Sequence, residues 1–507
     1  MSIATFLRDR LLPHPVPYLH SLDTKLLTFA RRDHFSTRDA CSSVQILGGT
    51  GSGKTSGSAK SLARAYLRAG FGGLVCCVKT EEANTWRRLA KECNREGDLV
   101  FIDSSGDHRF NFLDYAQATI GKDGFDSNIV DLLSRVTEAA KSLKSSRGGS
   151  AGDNQFFKDA SQQMLANCIP FLRVAYGTIR LRDLYNFITS TPRAHEETTG
   201  DEWLARSFCA ATMKAAGDKA AAGNADARRV CEEHGDYWLQ ELPGIGDRTL
   251  GSIISTLTST IYPFLSGKMA ELFTTHTTLV PEIAREGAII VMDLPTRKFS
   301  VAGAISQQIF KLLFQQAMEN EPVRDNDKTR PVFLWADECQ FVMNSYDAEH
   351  LSVCRQQKVC NVFITQDIPT YFSYIGDHDT AHALLNKFGT RIFHATTDKE
   401  TATYAAEVIG KTDRYNQTIS QSTGQNTGGG TQVGEEHGSG SSGFGVNQGW
   451  QTGYTTYQDY DIKPQDFGLL RTGGPANRLI VEGIVIINGR QFRSSGKNRI
   501  KVEFHQK

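Results

Sequence analysis

The sequence has no long hydrophobic run. Its most apolar stretches, Gly73–Val78, Ala288–Met292 and Pro331–Trp335, have the length of strands and fall far short of the ~18 residues a membrane-spanning helix needs. Met1–Val16 also lacks the apolar centre of a secretory leader. No insertion into a bilayer is therefore expected. Nor is there an excess of charge of either sign, since 56 Lys+Arg balance 56 Asp+Glu. That balance gives no hint of a whole-protein affinity for nucleic acid or membranes, and it leaves room for a basic channel lined locally. Ten cysteines occur with no C-x-x-C and no histidine pair at zinc spacing near them. This reads as a reducing cytosol, with core thiols at Cys76 and Cys77 and no metal cage. A chain of 507 residues has room for two or three domains.

What is present is a phosphate loop. Gly48, Gly49, Thr50, Gly51, Ser52, Gly53, Lys54 and Thr55 fit G-x-x-x-x-G-K-[ST] without mismatch. The short apolar run Ser43–Leu47 precedes it and reads as a buried strand. Ser56–Ala69 follows and reads as a helix with Leu62 and Tyr66 on one side. The glycines let the backbone curl so that N–H groups point at phosphate oxygens, and the helix N-terminus adds its positive dipole end. In such a loop Lys54 reaches the β- and γ-phosphates of ATP, and the Thr55 hydroxyl ligates Mg²⁺.

Strands and helices alternate around this loop. Leu74–Val78 and Leu99–Asp103 read as strands with a helix over Glu81–Arg95 between them, the pattern of a parallel α/β sheet. From about Gly121 to Gly246 the signal is helical, with amphipathic stretches at Asp126–Ser142 and Asn154–Tyr176. The sheet resumes with Ala288–Asp293, Val332–Asp337, Cys360–Thr365 and Arg391–Ala395. The expected division is an N-terminal segment 1–40, a nucleotide-binding domain from 41–120 and 247–507, and an all-α insertion over 121–246. Residues 417–456, rich in Gly, Ser, Thr and Gln, read as a low-complexity loop or linker.

A P-loop ATPase also needs a carboxylate behind the Mg²⁺ and a base for the attacking water. Val332–Glu338 supplies both, with Asp337 for the Mg²⁺ and Glu338 as base. Asp293, also at a strand end, is followed by Leu294 and lacks that partner. Gln366 ends a further strand and is a candidate for sensing the γ-phosphate, although polar strand ends are commonplace. Arg355, placed on the helix Glu349–Gln357, is either an arginine finger or a solvated charge.

In order along the chain, these residues resemble the TraG/TraD-type conjugative coupling ATPases, in the FtsK/HerA-like branch of RecA-like motors. The resemblance runs from about Gln45 onward. It rests on the P-loop, Val78-Lys79-Thr80-Glu81, Phe110–Asp114, Arg248–Leu257, Asp337-Glu338, Arg355, Gln366, Asn386–Phe393 and Ala405–Gly410. Cys77 and Thr80 stand where the family tends to have aspartate and glycine. The membrane helices with which family members usually begin have no counterpart.

The resemblance implies a RecA-like P-loop NTPase fold with an inserted all-α domain, and a homo-hexamer closing round DNA. It gives Arg355 a trans-acting finger role and Gln366 a sensor role. The expected activity is ATP hydrolysis with Mg²⁺, driving sequence-independent DNA translocation in type IV secretion. The expected place is the cytoplasm, docked through a separate membrane subunit or a DNA-processing protein. The alternative is a soluble DNA motor or nucleotide switch of a mobile element or defence system, acting through protein partners.

Overall fold

The computed structural model describes residues 11–12, 16–119, 125–144, 151–195, 197–320, 328–375, 377–429 and 442–506. A small antiparallel hairpin, β1 (Lys25–Ala30) and β2 (Asp33–Ser36), comes first. The main sheet follows from strands buried on both faces: β3 (Val44–Leu47), β4 (Gly72–Cys77), β5 (Leu99–Ile102), β6 (Ile289–Asp293), β7 (Val332–Asp337), β8 (Val359–Thr365) and β9 (Thr390–Phe393). All seven run parallel. Continuous apolar runs such as Ile289–Met292 suit this, because a parallel sheet is covered on both sides and neither face can be polar. Alternate residues go to opposite layers: Leu74 and Cys76 join one core, Val75 and Cys77 the other.

Between β5 and β6 the described residues are helical only. The helices include Phe112–Thr119, Phe125–Lys144, Ala151–Tyr176, Phe208–Ala221 and Asp247–Ile261. They pack on each other through Phe171, Phe187, Trp238 and Leu257, in a core continuous with one face of the sheet.

The described residues of 417–456 are strands and not a loop. Strands β10 (Lys411–Gly429) and β11 (Ser442–Tyr460) pair antiparallel without interruption from Lys411↔Tyr460 to Gly429↔Ser442. The tip between them lies outside the described residues. Composition concealed a period-2 pattern. Directly opposed residues share a face, so the pairs Tyr415↔Thr456, Gln417↔Tyr454, Ile419↔Thr452, Gln421↔Trp450 and Gln425↔Val446 put every large exposed apolar residue among them on one side. Thr, Tyr and Trp favour strands, and the ladder supplies partners for backbone groups that a loop would leave to water.

The sheet closes with β12 (Ile480–Ile487) and β13 (Arg499–His505), an antiparallel hairpin joined to β9. The full order is β13-β12-β9-β3-β8-β7-β4-β6-β5.

One buried ion pair fixes the helix after β7. Lys311 Nζ lies 2.6 Å from Asp347 Oδ2, with both side chains fully buried. Gln315 donates to Asp347 Oδ1 at 2.8 Å, and the Asn344 amide donates to Oδ2 at 2.9 Å. The pair ties the helix Tyr346–Val353 to the second of the two helices in Thr296–Asn320, which meet at a break at Ser300. Asp347→Ala strands the Lys311 ammonium in the core and should cost about 3–5 kcal/mol of stability in urea unfolding. A Lys311→Met/Asp347→Leu double variant, which removes both charges, should recover most of that loss.

Candidate functional site

Several chain segments leave the carboxyl edge of the sheet at one place. The P-loop follows β3, Glu338 follows β7, Gln366 follows β8 and Lys79 follows β4 shortly after its end. Strands β8 and β7 lie between β3 and β4, so consecutive strands part here. Open α/β sheets form ligand crevices at such points. The cleft measures about 450 Å³ and is lined by Thr50–Ser56, Lys79, Asp337, Glu338 and Gln366.

The loop conformation depends on glycine. Gly53 has φ +85°, and a Cβ there would sit 2.5 Å from Val481 Cγ2 of β12. A Cβ on Gly48 would meet His394 Cβ at 2.7 Å. Lys54 folds back over the loop and donates to the carbonyls of Gly48 and of Gly49, the latter at 3.1 Å. Burial lowers the proton affinity of its ammonium, against the opposing pull of Asp337 and Glu338.

Asp337 and Glu338 end β7 at the cleft floor. Thr55 Oγ1 donates to Asp337 Oδ2 at 2.9 Å. Burial raises the Asp337 carboxyl above its ordinary range, only partly offset by Lys79 and by the Thr55 bond. Glu338 sits in the left-handed region at φ +50°, ψ +51°, a conformation that costs on the order of 1–3 kcal/mol and persists where the surroundings over-determine it. Here they do. Lys79 Nζ lies 2.6 Å from Glu338 Oε1, Gln340 donates to Oε2 at 2.8 Å, and Gln366 approaches Oε1 at 3.4 Å. Burial pushes this carboxyl up, but the bonds from Lys79 and Gln340 outweigh it and hold it below the usual range. Thr50 Oγ1 donates to Gln366 Oε1 at 2.9 Å, so Gln366 bridges the P-loop and Glu338.

Mg²⁺ fits the donor set. Thr55 and Asp337 offer hard oxygens side by side, and among the described residues no group of three or more His, Cys, Asp and Glu forms a metal cage. Two protein oxygens completed by phosphate and water is how Mg²⁺ is ordinarily held.

Arg355 is elsewhere. The helix Tyr346–Val353 ends before it, and the chain turns there, with Lys358 at φ +52° donating its amide to the Arg355 carbonyl at 3.2 Å. Arg355 is exposed at the amino edge of β8. The seven residues of β8 separate it from Gln366 by about 20 Å.

Several residues here escaped the sequence reading. Lys79 enters the sequence only as part of the motif Val78–Glu81, and a lysine just beyond a buried strand is the one local signal it leaves. Gln340 is held by Thr365 Oγ1 at 2.9 Å. Glu82 accepts from the Val78 and Lys79 amides at 2.7 and 3.2 Å, and burial, reinforced by Asp337, raises its carboxyl to about 8. His394 lies beneath the P-loop. Its Nδ1 contacts the Glu482 carbonyl at 2.8 Å, so Nδ1 carries the proton, and Nε2 accepts from Ser58 Oγ at 2.7 Å.

The family model for conjugative DNA transfer by the type IV secretory system matches residues 20–436. Among solved structures, the bacterial conjugative coupling protein TrwBdeltaN70 in an unbound form superposes with a TM-score of 0.56 at 11% identity, covering 97% of this chain and 92% of its own. The plasmid coupling protein TrwB with the non-hydrolysable ATP analogue ADPNP gives 0.57 at 12%, covering 97% and 93%. Its complex with ADP and Mg²⁺ gives 0.56 at 12%, with the same coverage. At these identities the likeness is one of fold. No curated protein matches the chain.

The buried imidazole gives a pH signature. Burial lowers the His394 pKa from 6.5 to about 4. The unfolded chain takes up a proton as pH falls through 6.5 and the folded chain does not, so stability is complete above 6.5 and declines towards pH 4. The loss attached to His394 should be on the order of 2 kcal/mol at pH 5. Urea unfolding at pH 7 and pH 5 should show that part of the decline missing in His394→Asn.

Proposed function

The chain belongs to the type IV secretory system conjugative DNA transfer family, and from that premise we propose that it is a ring-forming ATPase that moves DNA, or a DNA–protein substrate, into a secretion channel. The observation that carries this is the convergence of P-loop, Asp337, Glu338 and Gln366 on one cleft. Lys54 and the loop amides bind the phosphates of ATP. Thr55 and Asp337 hold Mg²⁺, which when bound supplies positive charge against the phosphate oxygens. Glu338 takes the proton of the water that attacks the terminal phosphorus, and ADP leaves. Gln366, bonded to both Thr50 and Glu338, reports whether the terminal phosphate is present. TrwB is matched in complexes with ADPNP, with GDPNP and with ADP and Mg²⁺, which supports a nucleoside phosphate and Mg²⁺ in this cleft.

Arg355 is too far from its own chain's cleft to act there, which supports a role in a neighbour's. We assign the assembly as a homo-hexamer, with 121–246 as the inserted all-α domain that engages substrate or partner. No helix among the described residues is long and apolar enough to cross a membrane; a membrane-anchored secretion subunit is the partner we propose for docking on the channel.

Lys54→Ala should weaken ATP binding and abolish turnover. Glu338→Gln should bind ATP and lose hydrolysis, and wild-type turnover in that variant would remove Glu338 from the proposed role. Arg355→Ala should lose about 10³–10⁵ in rate while each chain still binds nucleotide. Mixing it with Glu338→Gln should restore activity at interfaces that carry both intact groups.

DNA of unrelated sequences should stimulate the ATPase, and raising salt should suppress that stimulation because the contacts are to phosphate. Deleting 121–246 should abolish stimulation and leave ATP binding intact. A rate indifferent to any DNA at low salt would favour a nucleotide switch acting through protein partners.

A further inference from the structure

Resting on the ATPase reading above, we infer that Lys79, beside Gln366, is a further residue that distinguishes a nucleoside triphosphate from a diphosphate: its ammonium exchanges between Glu338, which it masks, and the terminal phosphate, which draws it away and frees the base.

Three observations lead there. Both oxygens of Glu338 are engaged, Oε1 by Lys79 at 2.6 Å and Oε2 by Gln340 at 2.8 Å. A carboxylate so held has its proton-accepting oxygen covered by a cation and cannot at the same time take a proton from water. Of the two ionic partners, Lys79 is the one free to move. Its side chain is 50% exposed against 11% for Glu338, and its four-carbon stem swings from a fixed root. Glu82, buried in the wall, accepts the amides of Val78 and Lys79 and holds that root in place.

The third observation is reach. A base that activates water stands one hydrogen bond from that water, and the water stands about 3–3.5 Å from the phosphorus it attacks. A cation in contact with Glu338 is therefore about one water away from the terminal phosphate of a triphosphate. The diphosphate ends one phosphoryl group short of it. Lys54, held by the P-loop carbonyls, reaches the β-phosphate that both nucleotides share as well as the terminal one, so either nucleotide engages it. A terminal phosphate carries more negative charge than a single carboxylate and outcompetes Glu338 for the ammonium. Asp337, 3.9 Å from Lys79, adds to the attraction that keeps the lysine over the floor until then.

Calorimetric titration of full-length protein with Mg²⁺ and either ADP or the β,γ-imido analogue of ATP tests this. Lys79→Met should weaken the triphosphate analogue about 10- to 100-fold, the worth of one hydrogen bond between charged groups. It should leave ADP within about twofold, and Lys79→Arg should restore most of the difference. A double-mutant cycle reads the mask itself. Glu338→Gln removes the competing charge, so it should tighten the triphosphate analogue several-fold when Lys79 is present and not at all in Lys79→Met. Equal losses for both nucleotides, no loss for either, or the same Glu338→Gln effect in both backgrounds would overturn the inference and leave the ATPase reading standing. Wild-type protein that binds neither nucleotide would overturn that reading, and this inference with it.

Discussion

Two carboxylates end one buried strand, and their mutual repulsion organises what surrounds them. Asp337 is almost wholly buried, and Glu338 follows it in a backbone conformation that few residues adopt. Burial and like charge both disfavour ionisation. The structure counters with cations and donors from four segments of the chain: Lys54 from the P-loop, Lys79 from the end of β4, Gln340 from the turn after β7 and Gln366 from the end of β8. Each arrives because its strand is a neighbour of β7 or close to one, and because all of them run parallel and deliver their ends to one edge. Removing the carboxylates would remove the reason for the arrangement.

The closing hairpin of the sheet acts on the same cleft from the other side. Val481 of β12 fills the space beneath Gly53 and Gly57, which is why neither position accommodates a side chain. Gln506, just beyond β13, donates to Ser56 Oγ at 2.6 Å and accepts from the Gly474 amide at 2.7 Å. Glu482 carries Lys501 at 2.7 Å and Arg471 at 2.9 Å; these bonds outweigh burial and hold its carboxyl near 2. Its carbonyl holds His394. The first and last elements of the sheet thus shape one loop.

What the sequence disclosed was what lies contiguous in it. The P-loop declares itself because eight consecutive residues carry its geometry, and Asp337-Glu338 because an apolar run ends in two acids. Lys79 and Gln340 act through Glu338, and a pairing between segments so distant along the chain leaves no local mark. His394 reads as an ordinary strand-end residue until β12 is placed beside it. The hairpin 411–460 was misread for another reason. Its strands are built from Thr, Gln, Tyr, Trp and Gly rather than Val and Ile, so composition argued for a loop while the alternation argued for a strand. The helix expected over Glu349–Gln357 stops short of Arg355, because Lys358, which nothing local marks as left-handed, closes a turn there.

The segment Thr296–Asn320, two helices meeting at a break at Ser300, joins the cleft to the surface where Arg355 lies. On its first piece the Thr296 amide donates to the Val78 carbonyl at 3.3 Å, and on its second Gln307 donates to the Cys77 carbonyl at 3.0 Å. These are the carbonyls of the segment that carries Lys79. Further along, Lys311 and Gln315 grip Asp347. Glu319 accepts from Tyr346 at 2.5 Å and pairs with His350 Nδ1 at 2.5 Å. All three of those partners belong to the helix that leads into Arg355. A displacement of the Lys79 segment therefore has packed, hydrogen-bonded elements to travel through, and its far end is an exposed arginine at the opposite edge of the sheet. Contiguity of this kind is the physical requirement for coupling two sites. Under the proposed roles, one chain holds sensor and finger apart, and this contiguous packing is the route by which a change of nucleotide in one cleft would reach the next subunit of the proposed ring.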